Sequence, residues 1–255
     1  MMNLKNYIIE SLFDIDDNID NVDESIKDQI KQFLNDNFKN ASKYKISEKP
    51  NKDGKFEVSS NEYVGVKNKH ITSLTNGLFI WTNIKGNFTC IDCGLLTSLE
   101  GAPKEVGGDF SCSYCNLLTS LEGAPKEVGG YFKCNYCDSL TSLKGVPKEV
   151  GGNFSCFNCS SLTSLKGAPK EVGGDFSCDF CDLLTTLEGA PEEVGGDFNC
   201  AGCKSLISLK GAPKEIGGNF TCNNCKDVFT KTDIKKIFTI DDIKKVSNVK
   251  GNIIV

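Results

Sequence analysis

All 14 cysteines of this 255-residue chain fall in Cys-x-x-Cys pairs, and successive pairs lie 22 residues apart. They are Cys90/Cys93, Cys112/Cys115, Cys134/Cys137, Cys156/Cys159, Cys178/Cys181, Cys200/Cys203 and Cys222/Cys225. Two neighbouring pairs, with eighteen residues between them, have a spacing that suits four thiolates around one zinc ion. Cys112, Cys115, Cys134 and Cys137 form one such quartet. Redox exchange is the other chemistry open to a dithiol, although the thioredoxin-like motif belongs at a helix N-terminus. Seven pairs grouped in fours leave one over. Each cysteine also sits where the repeat turns apolar side chains inward, and a free cysteine there is a small hydrophobe with a weak donor. We therefore expect a buried ladder of free thiols and no cofactor, with structural zinc or thiol-redox chemistry as the alternative.

Other chemistry is thinly represented. Asp14-x-Asp16-x-Asn18 opens like a calcium-binding loop, but Ile19 stands where that loop needs Gly and Ser25 where it needs a bidentate Glu. His70 is the single histidine, and a lone His without a triad constellation around it is not expected to be catalytic. The Gly-Gly pairs are not followed by Lys-Ser or Lys-Thr, so they are not phosphate-binding loops. No catalytic constellation is expected, and the chain reads as a non-enzyme.

Composition narrows the partners. The chain has 29 lysines, no arginine and a net charge of −5. Arginine is the residue best suited to bidentate phosphate and base contacts, so a nucleic-acid partner is not expected. There is no run of 18 apolar residues and hence no expected membrane span. The N-terminal stretch lacks the apolar core and small-residue cleavage site of a secretory signal. The expected compartment is the cytoplasm, where thiols stay reduced.

The elements that position the cysteines follow from the repeat itself. One unit reads Gly101-Ala-Pro-Lys-Glu-Val-Gly-Gly-Asp-Phe-Ser-Cys112-Ser-Tyr-Cys115-Asn-Leu-Leu118-Thr-Ser-Leu121-Glu122, and it restarts at Gly123, Gly145, Gly167, Gly189 and Gly211. A fixed period of this size marks a solenoid, in which each unit buries its apolar face only against its neighbours. Phe110 and Cys112 lie two apart and so share one face of a short strand. Cys115, Leu118, Leu121 and Val128 complete the inward set. Gly123 and Gly129-Gly130 suit positive φ or close approach, Pro125 stiffens the outer arc, and Lys126-Glu127 face water.

These motifs, Leu-Thr-Ser-Leu-x-Gly-Ala-Pro-Lys-Glu-Val-Gly-Gly with Phe-x-Cys-x-x-Cys, resemble a leucine-rich repeat over about residues 64–228. The units look closest to uncharacterised repeat proteins of gut bacteria and their phages, and are more distantly similar to the short leucine-rich repeats of secreted bacterial effectors. The resemblance implies a leucine-rich-repeat-like solenoid with one short parallel strand per unit and irregular, non-helical outer arcs. It also raises virion association as an alternative location. Cys115 and its equivalents stand where such repeats place an inward Asn. The effectors' large catalytic domain has no counterpart in the residues after the repeats, so ligase activity is not carried over.

The flanks divide the chain further. Residues 1–40 form an acidic helical segment, with a second helix expected from Glu24 to Phe38 behind an Asp23 cap. Residues 41–86 hold a hairpin, Tyr44 and Ile46 facing Phe56 and Val58, and a degenerate capping repeat. Residues 87–228 are the seven cysteine-containing repeats. Residues 229–255 form a C-terminal cap, with short helices near Thr232–Phe238 and Asp241–Val246 and a last strand at Ile253.

The framework barely varies between units, whereas the two residues between the cysteines do. Among them Tyr114, Tyr136, Phe157 and Phe180 place aromatics on four successive units. Exposed aromatics are typical interface anchors. The expected function is non-catalytic binding of a protein partner through the strand face and this aromatic rim.

Overall fold

A computed structural model describes residues 19–225 and 238–255. The chain winds into a parallel β-solenoid. Nine two-residue strands form one continuous parallel sheet, from Val64–Gly65 through Phe88–Thr89 and the Phe-x strands of each unit to Ile253–Ile254. The register is one repeat per step, so Phe110 pairs with Phe132, Phe132 with Phe154 and Phe154 with Phe176. Translation by 22 residues therefore places every side chain over its own equivalent, which is why identical units can bury identical faces.

Each unit contributes a second short strand in addition to the one the repeat predicts. The Glu-Val pairs, from Glu105–Val106 to Glu215–Ile216, line up in an outer ladder with Val buried and Glu exposed. That ladder is split into two five-stranded sheets, between Val128 and Val150. The split coincides with the one regular unit that carries Val146 where the others carry Ala. Its turn hydrogen bond, Val146 N–H to Leu143 O, is 3.5 Å, whereas the corresponding Ala bonds measure 2.9–3.0 Å. The two extra methyl groups coincide with this longer turn bond, and the Glu-Val strand pairing is missing across the step, while Gly152 N–H still donates to Gly130 O at 3.1 Å and the nine-stranded sheet stays whole.

Close backbone stacking explains the glycines. A Cβ at Gly129 would come within 2.3 Å of Gly107 O, so the Gly-Gly corner is glycine for lack of room. Gly123 is glycine for its φ of +90°.

The interior is a set of ladders. Phe88, Phe110, Phe132, Phe154, Phe176, Phe198 and Phe220 stack with centroids 5.1–6.1 Å apart, all fully buried. Both Leu ladders, Leu118 and Leu121 with their equivalents, are also buried.

The open N-terminal end of this core is covered. Helix α1 (Ile19–Asn37) lays Ile30 and Leu34 on the first coil. Just beyond its end, Phe38 packs edge-on against Trp81 at 5.1 Å. Trp81 in turn meets Phe88 at 5.6 Å, which joins the cap to the Phe stack. The expected helix start at Glu24 is corrected: Asp23 lies inside a helix already running at Ile19, where Lys27 and Lys31 reach back to Glu24. The expected hairpin is present, with β1 (Lys45–Ile46) antiparallel to β2 (Phe56–Ser60). At the other end, α2 (Ile240–Lys244) starts from a capping box between Thr239 and Asp242. The final strand continues the repeat register, Ile253 pairing with Phe220. The helix expected near Thr232–Phe238, apart from Phe238 itself, and the stripe before residue 19, including Asp14 and Asp16, lie outside the described residues.

Candidate functional site

The cysteines come together as two buried columns. The first cysteine of a unit lies in the strand's extension beside Phe; the second follows a tight corner. From Cys115 onward the thiol of each second cysteine donates to the main-chain carbonyl of the first cysteine one unit earlier, as in Cys115 to Cys90 O at 3.0 Å, Cys137 to Cys112 O at 3.2 Å and Cys159 to Cys134 O at 3.1 Å; Cys93, in the first unit, donates to Ile91 O instead. The strand bonds use other carbonyls, Tyr131 O for Phe110 and Lys133 O for Cys112. The thiol thus satisfies a buried acceptor that the sheet leaves over.

Hydrogen bonding within the column, then burial, holds the thiols of Cys112, Cys134, Cys156, Cys178 and Cys200 well above the ordinary range. Burial pushes Cys222 up to about 12. Within the Cys112–Cys137 pair the same bond lowers Cys137, which makes it the first of the two to ionise. Among the described residues no three His, Cys, Asp or Glu side chains are arranged to hold a metal ion. The quartet Cys112, Cys115, Cys134 and Cys137 lies in the ladder, with the sulfurs of Cys115, Cys134 and Cys137 directed at carbonyls. His70 is exposed, and its backbone N–H donates to Asn68 Oδ1 at 3.0 Å.

The corner between the cysteines carries the variable residues. Its second position has positive φ in every unit: Asp92, Tyr114, Tyr136, Asn158, Phe180, Gly202 and Asn224, all between 53° and 68°. Asp, Asn and Gly take this conformation readily. Tyr114, Tyr136 and Phe180 take it against their preference.

All four predicted aromatics meet in one row along the solenoid axis. Tyr114 stacks on Tyr136 at 4.5 Å, Tyr136 meets Phe157 edge-to-face at 5.3 Å, and Phe157 meets Phe180 in the same way at 5.4 Å. Phe157 belongs to the first corner position, so the row steps by one residue there. Tyr114 and Phe180 are 45% exposed and the middle pair half-buried. At one end the ring of Phe180 lies over Gly202, where a Cβ would come within 2.6 Å of it. At the other, Lys69 bridges Ile91 O at 2.6 Å and Asp92 at 3.6 Å.

Two features escaped the sequence. The positive φ was signalled by Asp92, Asn158, Gly202 and Asn224 sharing one repeat position. The first Leu of the Leu-Leu pairs is outward: Leu95, Leu117 and Leu183 are exposed, and the signal was Ser at 139, 161 and 205.

Grooves elsewhere follow the outer ladder. One of about 890 Å³ at the split is lined by Glu105, Lys126, Glu127, Val146, Lys148 and Glu149. Another of about 470 Å³ is lined by Glu149, Glu171, Glu193 and Glu215. Translation gives each a row of like side chains, with no nucleophile set against a base. No helix among the described residues is long and apolar enough to cross a membrane. No family model, no curated protein and no solved structure matches the chain.

Proposed function

We propose that this chain is a non-catalytic, protein-binding scaffold of the cytoplasm, related to the repeat proteins it resembles, and that Tyr114, Tyr136, Phe157 and Phe180 are its contact surface. The backbone under three of them carries this reading. A bulky residue at positive φ costs on the order of 1–3 kcal/mol, and the same corner is built elsewhere from Asp, Asn or Gly at no such cost. An exposed aromatic pair returns about 0.5–1.5 kcal/mol by stacking. Folding alone gives no reason to place Tyr or Phe there, and strained positions of this kind cluster at functional sites. In this reading the cysteines pack the interior and cap carbonyls; their donation to Cys90, Cys112 and Cys134 O supports that role.

The test is co-purification from native lysate with full-length protein and with a Tyr114→Asn/Tyr136→Asn/Phe157→Ser/Phe180→Asn variant. The variant is expected to fold and to lose the partner. A variant that unfolds would show that the row is core and end the proposal.

A further inference from the structure

We infer that Cys200 and Cys225 form a reversible oxidation site at the C-terminal end of the cysteine ladder: Cys225 attacks a small-molecule disulfide, and Cys200 resolves the mixed disulfide across one coil. The site is independent of the aromatic row.

Pairing is the first observation. The two columns lean toward each other between coils. First-column thiols point forward along the chain: Cys134 to Ser155 O, Cys156 to Ser177 O and Cys200 to Thr221 O, each at 3.5 Å. Second-column thiols from Cys115 on point back, and Cys225 donates to Cys200 O at 3.1 Å. The facing partners are therefore 25 residues apart, and the two cysteines of one Cys-x-x-Cys are not partners. Six such contacts take up twelve of the 14 cysteines and leave over Cys93 and Cys222, one at each end. The thiols of Cys200 and Cys225 are themselves hydrogen-bonded. A change of rotamer is enough to bring facing sulfurs to a bond length of about 2.05 Å.

Access is the second. A facing pair reacts only where one thiol meets the oxidant. Thirteen of the cysteines are buried, and Cys225 alone is half-buried. Cys200 is fully buried, but a resolving thiol attacks from within the chain and needs no opening to solvent.

The roles follow from the surroundings. When Cys225 ionises, the Cys200 thiol donates to it, which is the main cause of its lowered range. Burial and Asp179 oppose this, while the backbone N–H groups of Cys203 and Gly202 add to it. They belong to the corner where Gly202 has a φ of 68°, and successive N–H groups at such a corner favour an anion. Cys200 is held well above the ordinary range. Cys225 is thus the attacking thiolate and Cys200 the resolving thiol.

With oxidised glutathione as the oxidant, the Cys225 sulfur bonds to one glutathione sulfur, the glutathione S–S bond breaks, and the released thiolate takes the Cys225 proton. Cys200 then gives up its proton and bonds to the Cys225 sulfur, and the second glutathione leaves reduced. Two electrons and two protons pass from the pair to the oxidant. In a reducing cytoplasm such a bridge is transient, as redox-sensing disulfides are.

The test is to incubate the reduced, folded full chain with oxidised glutathione, quench and unfold it in N-ethylmaleimide, and map the peptides by mass spectrometry. The expected product joins Cys200 to Cys225, about 2 Da lighter than the two peptides apart, with maleimide on the other twelve cysteines and full reversal by dithiothreitol. Cys200→Ser is expected to retain one glutathione on Cys225. Cys222→Ser is expected to form the bridge as the native sequence does. No bridge, a bridge from Cys225 to Cys222 or Cys203, or glutathione retained on Cys225 of the native sequence overturns the inference. Circular dichroism checks the variants, and the map of the native sequence decides even where one of them fails to fold.

Discussion

Two columns of aromatic rings follow the repeats, an inner one along all seven and an outer one over four successive units. The inner one, Phe88 to Phe220, steps at 5.1–6.1 Å; the outer one, Tyr114 to Phe180, at 4.5–5.4 Å. Translation by one coil generates both, so stacking by itself distinguishes nothing. The backbone beneath does. The inner rings stand on extended strand residues that any β-former accepts, and every unit has Phe there. Three of the four outer rings stand on left-handed corners, and other units use Asp, Asn or Gly at that position. A ring that recurs without exception on relaxed backbone is there for packing. A ring that appears in part of the array, on strained backbone and half in water, answers to something beyond the fold.

The largest effect that would sharpen the contrast is alkaline. Unfolded thiols ionise from about pH 8.5, whereas Cys112, Cys134, Cys156, Cys178 and Cys200 are held well above that in the fold. Above that pH the unfolded state binds fewer protons than the native one, so stability falls as pH rises. Each thiol contributes about 1.4 kcal/mol per pH unit. Five together offset a typical stability of about 5–15 kcal/mol within roughly two units. Melting monitored by circular dichroism from pH 7 to pH 11 is expected to show full stability below about pH 8.5 and collapse above it; a flat profile would break the picture of a protonated ladder.

Phe154→Ala in the inner column is expected to cost about 3–5 kcal/mol in urea unfolding, and a loss below about 1 kcal/mol would put the two columns on the same footing. Gly129→Ala drives a methyl into Gly107 O and is expected to cost about 1–3 kcal/mol. Tyr136→Asn in the outer column exchanges lost stacking for relieved strain, so its net effect is expected within about 1 kcal/mol of zero. A larger loss would make the outer row structural. Smallest of all, exhaustive chelation is expected to leave the melting temperature where it was, because thiols that donate to carbonyls need no ion; a lowered melting temperature would revive the zinc quartet.

The inward set was legible because period and burial coincide: Phe110, Cys112, Cys115, Leu118 and Leu121 recur every 22 residues and are all buried. The aromatic row was legible for the opposite reason, as variation against a constant frame. What the sequence concealed was backbone geometry. Nothing in the residue type of Tyr114 says that its φ is 62°; only its equivalents Asp92, Asn158 and Gly202 do. The outer Glu-Val strands were hidden because two residues are too short for a periodic signal. The start of α1 was misplaced because Asp23 can serve equally well as a cap or as a member of an acidic turn. Val146 differs from Ala by two methyl groups, and that difference acquires meaning only where coils pack within a few ångströms.

That single valine gives the array a mechanical character. On the outer ladder the hydrogen bonds are interrupted between Val128 and Val150, while the Phe strands at the same level, Phe132 and Phe154, remain bonded. Bending stiffness is therefore lowest at this step, and the bonded sheet acts as the hinge line about which the arc opens. The step lies beside Tyr136, the inner neighbour of Phe157. Flexion of the array is therefore expected to fall at this step, between Tyr136 and Phe157, with the bonded coils on either side moving as units.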